Sequence, residues 1–173
     1  MRKSTISSFS LASILFISVT GAASAQAAPP CPSTATLPDL IKAVDDAVSG
    51  PGNKDRTCMR QLFIPDAWLI PVSKGQDGQW APHVLTLDDW ITRVAKRGSA
   101  VFYERQVKYS VDQYGHMAHL WSTYEVRETP EGKATVRGIN SMQAFYDGTQ
   151  WKLVEILWEA ESPAEPLPAE FLP

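Results

Sequence analysis

The sequence predicts an α+β domain in which a curved, mixed or antiparallel sheet wraps around three N-terminal helices. Four segments carry the sheet: residues 100–112, 117–129, 134–146 and 151–159 are rich in Val, Ile, Thr, Tyr, Phe and Trp. The breaks between them are short, at 112–115, 130–132 and Asp147-Gly148, and the last is the strongest hairpin signal in the chain. Three successive short turns imply an antiparallel meander. Before residue 100 the apolar residues recur instead at helical spacing, which supplies the layer that a sheet needs on at least one face.

The chain has 173 residues, and 1–27 read as a leader. Met1-Arg2-Lys3 gives a positive start, residues 6–19 are largely apolar with several Ser, and Ala23-Ser24-Ala25 or Ala25-Gln26-Ala27 offers a small-x-small cleavage site. A secretory signal peptide places the protein in the periplasm or outside the cell. No later window is long enough to span a bilayer, so no membrane attachment is expected after its removal.

The remaining chain of about 147 residues is one domain's worth, expected over 28–161. Removing Arg2 and Lys3 from the 16 basic residues leaves 14 against 19 acidic ones, a net charge of about -5. A weakly acidic surface without a basic cluster argues against nucleic acid as a partner. Cys31 and Cys58 are the only cysteines, and in an oxidising compartment they are expected to form a disulfide. Closing a loop of about 28 residues is worth roughly 3 to 4 kcal/mol in the chain-entropy account. A two-cysteine metal site would need a nearby His that the sequence does not supply, so no metal or other cofactor is expected.

Taken in order, Pro29, Pro30 and Pro32 make a stiff lead-in. Leu37, Leu40, Ile41, Val44 and Val48 then recur at helical spacing, with Thr36 as cap, Pro38 in the first turn and Gly50-Pro51-Gly52 as the stop. A second, shorter helix is expected over 54–63, with Cys58, Met59, Leu62 and Phe63 on its apolar side. Residues 67–72 read as a strand, and Pro71 places it near an edge. Residues 73–82 form a loop or a hairpin to a ragged strand ending at Val84. Thr86 caps a third helix over 87–96, whose Asp88 and Asp89 sit at the N-terminal end and Arg93 and Lys96 at the other, as the helix dipole prefers. In the last strand Val154, Ile156 and Trp158 are expected on one face, and Trp151, Leu153, Glu155, Leu157 and Glu159 on the other. The tail, 162–173, holds four prolines and is expected to be polyproline-like or disordered.

The helices followed by Leu62-Phe63-Ile64-Pro65-Asp66-Ala67, the capped helix from Thr86 to Gly98, and Arg137-Gly138-Ile139-Asn140-Ser141-Met142-Gln143 with Tyr146-Asp147-Gly148 and Trp151-Lys152-Leu153-Val154 resemble the nuclear transport factor 2-like superfamily, in particular its SnoaL-like secreted bacterial members. The resemblance covers nearly all of residues 37–160. It implies a cone-shaped sheet with a pocket between helices and sheet, and a homodimer formed through the outer sheet face. The superfamily includes isomerases, cyclases and dehydratases beside noncatalytic binding domains, so the resemblance implies a cavity and assigns no reaction.

Two residues are candidates for acid–base chemistry. His119 shares a strand face with Trp121, Thr123 and Glu125 and becomes a general base if that face is concave. Asp66 lies where the resemblance places the pocket mouth, though Pro65-Asp66 is equally good turn chemistry. Asn140 is out of place in mid-strand unless its amide is used. Glu155, in the adjacent strand, and the aromatic residues Trp68, Trp121, Tyr124 and Trp158 complete the expected ligand-binding set. The sequence holds no nucleophile elbow, phosphate-binding glycine loop or zinc signature. Three functions remain open: a domain binding a hydrophobic or aromatic small molecule, an isomerase, cyclase or dehydratase using Asp66 or His119, or a noncatalytic protein-interaction module.

Overall fold

A computed structural model describes residues 30–173, so the expected leader at 1–27 lies outside the described residues. The elements run α1 (Leu37–Val48), β1 (Gly50–Pro51), a 3-10 turn (Cys58–Gln61), β2 (Phe63–Lys74), β3 (Trp80–Pro82), β4 (Leu85–Thr86), α2 (Leu87–Ala95), β5 (Val101–Tyr114), β6 (Met117–Arg127), β7 (Ala134–Tyr146), β8 (Trp151–Ala160) and a closing 3-10 turn (Ala169–Phe171). Strands β5 to β8 are the meander. The sheet order is β1-β5-β6-β7-β8-β2-β3, with β4 also on β2, and among the described residues only the β2–β8 pair is parallel.

The class is α+β, but the expected cone wrapped around three helices is not what forms. Among the described residues there are two α-helices, and the sheet is mixed and open. Residues 54–63 make only the 3-10 turn at Cys58–Gln61, because Cys58 is tied by its disulfide to Cys31 and Phe63 already enters β2. The sheet cannot close because its terminal strands, β1 and β3, are two and three residues long and offer almost no edge to pair. As Pro71 implies, β2 lies near the sheet edge, bordered on the side away from β8 only by the short strands β3 and β4.

Both α-helices begin as their caps dictate. The Thr36 hydroxyl accepts from the Asp39 amide at 3.2 Å, and Thr86 and Asp89 form a reciprocal capping box. Helix α1 turns Leu37, Leu40, Ile41, Val44 and Val48 onto the sheet, where they meet Leu62, Leu120, Met142, Leu153 and Ile156 in one core. At the β7–β8 turn Gly148 has φ +102°, which only glycine adopts without strain. Beside it the Asp147 carboxylate accepts from the Thr149 and Gln150 amides and pairs with Lys152, and these donors hold its pKa far below the usual range.

Strand alternation fails in β8 at one point. Gln143 faces Glu155 while the next residue, Ala144, faces Leu153, so Val154 is the extra residue of a bulge. The bulge brings Trp151 and Leu153 onto the same inner face as Ile156 and Trp158. Glu155, Leu157 and Glu159 remain outside.

The C-terminal segment does pack. The Phe171 carbonyl accepts from Thr123 Oγ1 at 2.6 Å, the Leu172 carbonyl from Lys108 Nζ at 2.8 Å, and the Phe171 ring lies 6.1 Å from that of Trp121. Glu161 anchors the start of this segment through a 2.6 Å ion pair with Arg137. The prolines thus lay an extended strap across the outer sheet face, which is how a sequence poor in packing residues acquires order.

Candidate functional site

The inner face of the sheet and the two helices leave a cavity of about 290 Å³. Its buried end is formed by Val44 and Val48 of α1, Leu69 of β2, Tyr124 of β6, Asn140 of β7 and Ile156 of β8. Trp90 and Val94 of α2 and Trp158 form the sides, and Arg97, Phe102, Val126 and Val136 the more exposed rim. Glu104 projects into this largely apolar space from β5.

Its position follows from how α1 covers the edge of β5. Beyond the two residues of β1, β5 has no strand partner on that side, and its amides need acceptors. Ser49 Oγ accepts from the Glu104 amide at 2.8 Å, and the Asp45 carboxylate accepts from the Gln106 amide at 3.1 and 3.3 Å. Asp45 therefore lies within the apolar stripe of α1 for a structural reason. The same arrangement brings two carboxyl groups together.

Gln106 joins them. Its Nε2 donates to Asp45 Oδ1 at 3.2 Å and to Glu104 Oε1 at 3.3 Å, while its Oε1 accepts from Ser122 Oγ at 2.5 Å and Asn140 Nδ2 at 3.1 Å. Both amide hydrogens and both lone pairs are in use, which fixes the side chain. Burial pushes the Asp45 pKa up to about 6 against the opposing hydrogen bonds from Gln106. Burial, reinforced by the negative charge of Asp45, pushes Glu104 up to about 7. Burial likewise raises the Tyr124 phenol, helped by Glu104 and Glu159.

Tyr124 is seated by the absence of a side chain opposite it. Gly138 is its partner on β7, and a Cβ there would lie 2.6 Å from the Tyr124 hydroxyl and collide with the Glu159 carbonyl. Gly138→Ala is expected to destabilise the domain by about 1–3 kcal/mol, as overpacking of a filled site does, measured by urea denaturation. A neutral effect would mean that Tyr124 is not held against β7.

Of the ligand-binding set expected from sequence, Tyr124, Asn140 and Trp158 line this cavity. Trp68, Trp121 and Glu155 lie on the opposite, outer face, Trp68 and Trp121 being exposed. His119 is on that outer face too, its Nε2 3.1 Å from Ser141 Oγ and its ring tilted against Trp121. Asp66 is an exposed residue of β2 outside the cavity lining. Cys31 and Cys58 are joined, with Cα atoms 5.2 Å apart. The sequence reading missed Glu104, Gln106 and Asp45. Two signals mark them: Phe102, Glu104 and Gln106 share one face of a strand by period two, and Asp45 follows Ile41 by four residues on the apolar stripe of a helix.

No family model matches the sequence, and no curated protein matches it. Solved structures do match the fold. A protein of unknown function with a cystatin-like fold from Nostoc punctiforme is 14% identical over 78% of this chain and 99% of its own, with a TM-score of 0.53. A protein from Kribbella flavida is 12% identical over 72% and 87%, with a TM-score of 0.51. An NTF-2 like protein of unknown function from Silicibacter pomeroyi is 16% identical over 72% and 92%, with a TM-score of 0.50. At such identities the likeness concerns architecture alone: the chain has the nuclear transport factor 2-like, or cystatin-like, fold.

Proposed function

We propose that the domain binds a small, largely apolar molecule in the inner cavity and orients it by hydrogen bonds at the Glu104 end. One observation carries this reading: an aromatic and aliphatic cavity of about 290 Å³ with polar groups of Glu104, Tyr124 and Asn140 in its wall. Apolar area supplies affinity in such a site, and a few placed polar groups set orientation. A fragment screen followed by NMR shift mapping tests it. Binders are expected to perturb Trp90, Phe102, Tyr124 and Asn140, and Val136→Trp at the rim to abolish the effect. Shifts confined to the outer face, around Trp121 and Leu157, would move the function there.

Proton transfer to or from the bound molecule is a second reading, favoured by the position of Glu104, whose pKa is pushed up to about 7, in the cavity wall. Turnover of a carbon acid that disappears in Glu104→Gln while ligand binding persists is the result that selects it. Export to the periplasm or beyond is part of the proposal, supported by the N-terminal sequence and by the paired cysteines. A homodimer through the outer face is supported by the exposed Trp68, Phe145 and Leu157. Sedimentation at increasing concentration reads it directly.

A further inference from the structure

Building on the small-molecule reading, we infer that the inner cavity selects a cationic ligand, a small apolar amine whose ammonium group sits against Glu104 between aromatic walls. The charge balance points there. Asp45 of α1 and Glu104 of β5 bring two carboxyl groups together at this cavity, and the neighbouring Asp46 is paired with Lys42. None of the basic groups nearby pairs directly with Glu104. Arg97 sits at the cavity rim, stacked on the Phe102 ring at 4.7 Å, and its charge acts on Glu104 only at a distance, Arg105 reaches Asp46 at 4.0 Å, and Lys54 donates to the carbonyls of Asp46 and Ser49.

Among the described residues no Lys, Arg or His forms an ion pair with Asp45 or Glu104. The amides of Asn140 and Gln106, with a smaller contribution from the charge of Arg97, are what stabilise the Glu104 carboxylate. A buried carboxyl group without a cation is held in its neutral form by the lack of a partner, and a ligand that supplies the positive charge removes that cost. Trp90, Phe102, Tyr124 and Trp158 line the approach, and aromatic faces attract a cation as they exclude water. Neutral ligands gain only the apolar burial. Anionic ones meet the like charge of Glu104 as it ionises.

Three probes with one aromatic body separate the head groups: phenethylamine, phenethyl alcohol and hydrocinnamate, titrated calorimetrically into the full mature chain at low ionic strength. The amine is expected to bind about tenfold tighter than the alcohol or more, with the carboxylate weakest. Amine affinity should rise from acid to neutral pH as the carboxyl groups ionise, while alcohol affinity stays flat. Isosteric Glu104→Gln, checked for folding by circular dichroism, should erase the preference by lowering amine affinity to that of the alcohol. Equal binding of amine and alcohol, or a preference that survives Glu104→Gln, overturns the cation assignment while the cavity keeps its small-molecule role. Failure of all three probes at millimolar concentration overturns both.

Discussion

Glu104→Gln is expected to raise stability at pH 8 by about 2 kcal/mol and Tm by roughly 5 °C, with little change at pH 4. The sign follows from the direction of the shift. Glu104 has a folded-state pKa raised to about 7 from an ordinary value of 4.5, and Asp45 one raised to about 6 from 3.8. Below the unfolded values both states hold the protons and burial carries no ionisation penalty. As pH rises toward the folded values the unfolded chain releases its protons first, and stability falls until both groups are ionised in the fold as well. One pKa unit is about 1.4 kcal/mol, and water at the cavity mouth screens part of the full shift. A neutral amide of the same shape removes the Glu104 share and keeps its hydrogen bonds. Chemical denaturation at the two pH values measures it, and the absence of a gain at pH 8 would mean that the carboxyl group is solvated.

Removing the Cys31–Cys58 disulfide by the double serine replacement should lower stability by roughly 3.5 kcal/mol and Tm by roughly 10 °C. The bond joins residues 27 apart and closes the segment that leads into α1. In the fold that segment is also held at Thr34, whose Oγ1 donates to the Trp151 carbonyl at 2.7 Å and whose carbonyl accepts from the Trp151 amide at 2.8 Å. Loss of the cross-link frees the unfolded chain most. It should also speed hydrogen exchange at Trp151 and in the 3-10 turn at Cys58–Gln61 ahead of the β5–β7 strands. An unchanged Tm after complete reduction would place the stabilisation elsewhere.

The parts of the fold that sequence made legible are those governed by local rules. Thr36 and Thr86 cap helices because their hydroxyls reach amides three residues on, and Asp147-Gly148 turns the chain because glycine tolerates positive φ. The two cysteines pair, as their number implies. What escaped depends on contacts distant in sequence. The bulge at Val154 changes which residues of β8 face inward, and period-two counting cannot detect an extra residue whose partner lies on another strand. Residues 54–63 have an apolar side but are held by a disulfide and a strand start, so only one 3-10 turn forms.

The candidate site was half legible for the same reason. Tyr124, Asn140 and Trp158 carry amphipathic or polar groups in strands and invited attention as single residues. Choosing between faces was the step that sequence did not settle: His119 and Trp121 alternate with Leu120 and Ser122, and the apolar core lies on the Leu120 side. Glu104 gains its meaning only from Asp45, some sixty residues earlier, which α1 brings over the open edge of β5 to accept the Gln106 amide.

The most direct measurement is a carbon-13 NMR titration of the side-chain carboxyl groups. Glu104 should titrate near 7 and Asp45 near 6, and Asp45→Asn should move the Glu104 midpoint downward by removing a neighbouring negative charge. A Glu104 midpoint at the ordinary value of 4.5, insensitive to Asp45→Asn, would contradict a coupled pair of carboxyl groups at the cavity.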